Sequence, residues 1–183
     1  MKHIIIICIV LVAVVLSGCT DDPGFPSPEE AMAGAGIQSK GILKQIELQD
    51  AALIFYQKKE PVKDVHVGAG LVRKMNGSWT WMNGSEVQRL TEAPVTYRWT
   101  NLDKMNQAGS GYHMYWGIVN QENIAKLHIK QRKGWGTDAD AELLDTGLGY
   151  RIWYLVLDEY YGTVPGVDMI GYSAGGEVVY KYE

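Results

Sequence analysis

Gly171-Tyr172-Ser173-Ala174-Gly175 has the spacing of a nucleophile elbow, where a strained strand-to-helix turn exposes a serine hydroxyl. The flanks argue against that chemistry. Gly176-Glu177-Val178-Val179-Tyr180 reads as a strand rather than a helix, and every histidine precedes Ser173. A glycine turn joining the last two strands is the simpler expectation. His66, His113 and His128 are too far apart for a helical metal pair, and no zinc signature links them. His66, between Val65 and Val67, and His128, between Leu127 and Ile129, fall on the polar sides of strands. Carboxylates cluster at Asp138, Asp140, Glu142 and Asp145, and again at Asp158 and Glu159. Paired acids of this kind serve sugar hydrolysis. On a strand, however, Asp138, Asp140 and Glu142 share one face, as on a wet outer surface. The glycine and glutamate positions of a calcium-binding EF-hand loop are missing. Gly68-Ala69-Gly70 and Gly109-Ser110-Gly111 lack the lysine-serine/threonine ending of a phosphate loop. No catalytic residue, metal site or cofactor is expected.

The aromatic residues are the remaining candidates. The chain has six Trp and eleven Tyr but two Phe. Tyr and Trp join an apolar body to a polar handle, which suits half-buried sheet faces and binding surfaces alike. Trp79, Trp81, Tyr160 and Tyr161 are the candidate ligand-binding residues, as stacking surfaces for a sugar or a peptide. Trp79 and Trp81 also have the spacing of one strand face, for which core packing is the commoner reason.

The amino terminus carries a different kind of chemistry. Lys2 and His3 precede an unbroken apolar run from Ile4 to Leu16, and Leu16-Ser17-Gly18-Cys19 closes it. A positive start, an apolar core and small residues at a cut make a secretory signal. The apolar run would rise only about 20 Å as a helix, short of the ~30 Å bilayer core. Cleavage without lipidation and an uncleaved membrane helix are the alternatives. The Leu-Ser-Gly-Cys order resembles the lipobox of bacterial lipoproteins. That resemblance implies residues 1–18 as a removed signal peptide and a diacylglyceryl thioether on Cys19. It further implies acylation of the new amino terminus, as with palmitate, and residence on the extracytoplasmic face of the cell membrane. Two or more chains anchor stably where one holds only marginally. Thr20 does not distinguish inner from outer membrane.

Removing 1–18 leaves 165 residues, enough for one core. The net charge moves from −4 to near −5, because Lys2 is the one charge lost. This excludes a nucleic-acid partner, which calls for a basic face. Cys8 lies in the signal, so apart from Cys19 the mature chain has no thiol and no disulfide.

Residues 19–28, rich in proline, read as lipidated cysteine and tether, and 29–183 as a single β-rich domain. Ser27 can cap a short helix with Pro28 at its first position and Glu29 and Glu30 at the positive end of its dipole. Gly34 and Gly36 should stop it. Residues 51–56 form an apolar strand. Residues 65–82 form a hairpin about Asn76-Gly77, and Asn83-Gly84 signals a second turn. Residues 101–111 read as a loop, with a short helix at 101–107. Strands follow from Tyr112, over 124–130, over 151–157 and as a closing hairpin of 167–172 and 177–182. At an offset of 72, Ala69, Leu71, Gly77 and Trp81 match Ala141, Leu143, Gly149 and Trp153, which raises two related β-modules, 37–90 and 112–183.

Pro28-Glu29-Glu30-Ala31, Asn76-Gly77-Ser78-Trp79-Thr80-Trp81 and Arg151-Ile152-Trp153-Tyr154 before a glycine hairpin are similar to small lipoproteins of Gram-positive bacteria. That resemblance names no activity. The expected fold is mainly β, an antiparallel sandwich or barrel-like sheet with a short N-terminal helix. The expected function is non-enzymatic binding at the cell envelope, to cell wall or an envelope protein. An accessory subunit of a membrane complex and a carboxylate-dependent hydrolase of envelope polymers are the alternatives.

Overall fold

The computed structural model describes residues 24–59, 65–102, 112–132, 136–157 and 166–183. The one helix among them, α1 (Pro28–Gly34), starts as its sequence dictates. Ser27 is extended at φ −136°, and its Oγ accepts a hydrogen bond from Glu30 N at 3.2 Å. The helix stops at Gly36, whose φ of +78° suits glycine. Gly36 N then donates to Ala33 O and Ile37 N to Met32 O, the paired bonds of a Schellman stop. No described helix is long and apolar enough to cross a membrane.

Twelve strands follow: β1 (Ser39–Glu47), β2 (Ala51–Lys58), β3 (His66–Met75), β4 (Ser78–Gln88), β5 (Arg98–Asn101), β6 (His113–Val119), β7 (Lys126–Gln131), β8 (Asp138–Asp140), β9 (Glu142–Asp145), β10 (Arg151–Leu157), β11 (Val167–Tyr172) and β12 (Val178–Tyr182). They form three four-stranded antiparallel sheets, ordered β1-β2-β3-β4, β5-β6-β10-β9 and β12-β11-β7-β8. The fold is mainly β, and the sheets are not closed into a barrel. Residues 37–90 supply the whole first sheet, whereas 112–183 are divided between the other two.

Burial explains the layer order. On the first sheet, Leu53, Phe55, Ala69 and Leu71 pack against Met114, Trp116, Ile118 and Ile152 of the second. The opposite face of the second sheet, with Tyr115 and Trp153, packs against Leu127, Ile129, Val167 and Met169 of the third. The outer face of the first sheet, with Ile54, Tyr56 and Val72, lies under Ala31 and Met32 of α1. Sheet two is thus covered on both faces, and sheet one on its inner face and, over β2, beneath α1. That is why β2 and β6 read as unbroken apolar runs, with Ala51–Tyr56 and His113–Val119 buried throughout. The third sheet has one wet face, and β7 alternates accordingly. The indole of Trp116 ties sheet two to sheet one by donating to Ser85 Oγ at 3.1 Å, and also donates within sheet two to Thr100 Oγ1 at 3.0 Å.

The hairpin turn at Asn76-Gly77 forms as expected, with φ of 51° and 87° at its two residues. The turn expected at Asn83-Gly84 does not form. The pairing of β4 with β3 jumps from Trp81↔Val72 to Asn83↔Leu71, so Met82 is an extra residue. The dipeptide marks a β-bulge inside a continuous strand, not a reversal. The helix expected at 101–107 falls largely outside the described residues.

Candidate functional site

The bulge resets the alternation of β4. Trp79 and Trp81 before it and Gly84 and Glu86 after it all face α1. Three glycines lie on this face in adjacent strands, Gly68 and Gly70 of β3 and Gly84 of β4. A Cβ on Gly68 would sit 2.0 Å from Tyr56 Cζ, and one on Gly70 2.1 Å from Trp81 Cη2. A Cβ on Gly84 would come within 2.6 Å of Trp81 Cζ2. The two aromatic rings therefore lie down over bare backbone, which no other residue type permits. They meet edge to face, with centroids 6.2 Å apart and planes at 72°.

This aromatic floor forms part of an open groove of about 650 Å³. Ile37 approaches from the helix side, and His66, Asn83, Glu86, Gln88 and Arg98 supply polar groups. Polar side chains outnumber apolar ones along the groove, which suits a polar ligand with some apolar faces better than an apolar one. Lys58 Nζ donates to Glu86 Oε2 at 2.6 Å, and the Tyr56 hydroxyl donates to Glu86 Oε1 at 3.4 Å. Arg98 is fixed by donating from Nη1 to the Glu86 carbonyl at 2.8 Å. Asn83 donates from Nδ2 to Asn101 O at 2.6 Å. Burial, then the nearby Glu86 carboxylate, hold the Tyr56 hydroxyl well above the usual phenol range. The groove wall is thus braced before any ligand arrives.

The structure separates the two tryptophans singled out by sequence. Trp81 lines the groove. Trp79, on the same sheet face, sits near the hairpin tip, where it pairs with Phe25 and carries Lys74 Nζ 5.7 Å above its ring. Tyr160, Tyr161 and Cys19 lie outside the described residues, as do Asp158 and Glu159. Tyr56, Asn83, Glu86, Gln88 and Arg98 were not picked out from sequence. Their signal was the run of glycines inside strand-like stretches, which marks close approach of another group.

The other described chemical candidates make local hydrogen bonds, ion pairs or ring contacts. Ser173 begins the turn between β11 and β12. Its N–H donates to Glu177 O at 2.8 Å, and its Oγ accepts from Glu177 N at 3.2 Å. His113 is buried and stacks on Trp99, with centroids 5.6 Å apart and planes at 15°. His128 lies between two carboxylates, with Nε2 2.7 Å from Asp138 Oδ1 and Nδ1 2.8 Å from Asp140 Oδ1. Lys130 reaches Asp138 at 3.0 Å and Lys126 reaches Asp140 at 2.9 Å. Asp138 is held below the usual carboxylate range by Lys130 and then His128, and Asp140 by Lys126 and then His128. No group of three or more His, Cys, Asp or Glu residues among the described residues could hold a metal ion.

No family model, curated protein or solved structure matches this chain.

Proposed function

We propose that this chain is a lipid-anchored envelope protein, held at the extracytoplasmic face of the cell membrane through Cys19, that binds a glycan segment of the cell wall without turning it over. One observation carries the binding reading. The groove presents the half-buried ring of Trp81 over a glycine-lined sheet, backed by the buried ring of Tyr56 and bordered by amide and charged side chains. Flat apolar ring faces suit the C–H faces of sugar rings, and bordering amides suit their hydroxyls. The anchor reading rests on Leu16-Ser17-Gly18-Cys19 after the apolar run.

The carboxylate geometry supports binding over hydrolysis. Hydrolysis by the two-carboxylate route needs one acid kept protonated and a second beside it. Among the described residues lining the groove, Glu86 is the one carboxylate, and it is bonded to Lys58. Asp138 and Asp140 lie on the third sheet, and their pKa values are lowered, the opposite of what a general acid requires.

The test is co-sedimentation of residues 20–183 with purified cell wall, with the supernatant assayed for released sugar fragments. Saturable sedimentation without release supports the proposal. Release of fragments would replace it with a hydrolase, and absence of sedimentation would remove the wall as ligand. The anchor has its own test. Cys19→Ser should move the protein from the membrane to the soluble fraction.

A further inference from the structure

The way the chain enters the fold bears on which end of the domain meets the bilayer. Phe25 pairs with Trp79 of β4 as a single antiparallel bridge at the edge of the first sheet. Phe25 N donates to Trp79 O at 2.8 Å, and Trp79 N donates back to Phe25 O at 2.6 Å. The Phe25 ring is pressed onto α1, for a Cβ on Gly34 would lie 2.0 Å from its Cζ. Gly24 abuts Ser78, whose Cβ would be 2.6 Å from a Cβ there. Trp79 stands opposite Lys74, and Ser78 opposite Met75, the last pairs before the Asn76-Gly77 turn. The entry point is therefore fixed at the tip of the β3–β4 hairpin.

Length then limits orientation. Cys19 to Gly24 is five residue steps, which span at most about 18 Å even fully extended. Along β3, Lys74 to His66 is eight steps, about 26 Å of strand. The leash is shorter than the strand it enters. A lipid on Cys19 keeps the tip near the headgroups and cannot let the His66–Gln88 end point downward in its place. The tip itself has a surface suited to that position. Met75 is 39% exposed, and Lys74 beside it carries a positive charge. An apolar side chain next to a long cationic one fits the boundary between headgroups and acyl chains.

We infer that the β3–β4 tip, Lys74 to Ser78, is the membrane-facing end of the domain and rests on the phospholipid headgroup layer, so that the groove extends away from the bilayer. This inference depends on lipidation of Cys19. It gives the short leash a role, because it aims the aromatic groove at material above the membrane.

The test uses the full chain, produced with its lipid and reconstituted into vesicles of phosphatidylcholine and phosphatidylglycerol with spin-labelled headgroups. Met75→Cys and Leu90→Cys each place one fluorophore on an exposed side chain, the latter beyond the far end of β4. The expected result is loss of most emission from the probe at 75 and little loss at 90. Equal quenching, or stronger quenching at 90, on vesicle-bound protein would overturn the orientation while leaving the anchor intact. Protein that stays in the supernatant, with no lipid mass on its amino terminus, would overturn the anchor reading and the orientation with it.

Discussion

Gly70→Ala perturbs the groove from beneath, and its consequences can be worked out from the positions of its neighbours. The added Cβ would meet Trp81 Cη2 at 2.1 Å, Trp81 Cζ2 at 2.4 Å and the backbone oxygen of Asn83 at 2.9 Å. Ordinary carbon contacts begin near 3.5 Å, so the indole must move by roughly 1.4 Å. The Asn83 oxygen belongs to the paired strand and cannot rotate away. Overpacking of this kind costs about 1–3 kcal/mol. Replacing a strand glycine with alanine by itself returns about 0.5–1 kcal/mol. The net destabilisation should lie between about zero and 2.5 kcal/mol, a fall in Tm of up to roughly 10 °C for a domain of this size. Trp81→Ala removes the group that is struck. The two substitutions should therefore be non-additive, with the double variant more stable than the sum of the singles by about 0.5–2 kcal/mol. Wall sedimentation of Gly70→Ala should fall as well, because the stacking face has moved. Gly41→Ala is the control, with no atom within 4 Å of its added Cβ. Thermal unfolding of the four proteins reads the cycle. Strict additivity with Trp81→Ala would refute the idea that the glycines exist to seat the ring.

Three further outcomes are expected. Tyr56 has a raised pKa in the folded state, so its contribution is complete below the unfolded phenol value of about 10 and is lost as pH rises beyond it. Tm should fall on the alkaline side of that value, and Tyr56→Phe should flatten the fall without abolishing it, since burial also raises Tyr115, Tyr150 and Tyr154. Asp138 and Asp140 have lowered values, so their contribution is present above about pH 4 and lost as pH falls through the folded values; a double Asn variant should show a shallower acid limb, by a small amount because both groups are exposed. Trp116→Phe removes the indole donor to Ser85 of sheet one and to Thr100 of sheet two, and should lower the urea midpoint by the equivalent of about 1–3 kcal/mol at unchanged m.

The fold was largely legible wherever local pattern and tertiary demand agreed. Trp153, Leu155 and Leu157 share the face that meets the third sheet, as their alternation implies. The α1 cap and the 76–77 turn follow from residues that have few other uses. Legibility failed where one signal serves two geometries. Asn83-Gly84 is read as a reversal because both residues tolerate turn conformations, but a bulge draws on the same tolerance, and only the partner strand decides between them. The candidate site was half legible. Trp81 stood out by residue type, but its separation from Trp79 depends on where Phe25 docks, which no local pattern reports. Tyr56 was hidden in an apolar run that gives no hint of a hydroxyl reaching Glu86 thirty residues away. Gly68, Gly70 and Gly84 were visible, but their meaning lies in the rings above them.

The most direct measurement is a pair of cell-wall binding isotherms, for Trp81→Ala and Trp79→Ala, against the parent chain. The two residues share a strand and a sheet face, but only Trp81 borders the groove. Trp81→Ala should weaken binding by a factor of about 30, the loss typical of a central aromatic anchor, with Trp79→Ala close to the parent. Equal weakening by both, or full binding without Trp81, would contradict binding in the groove.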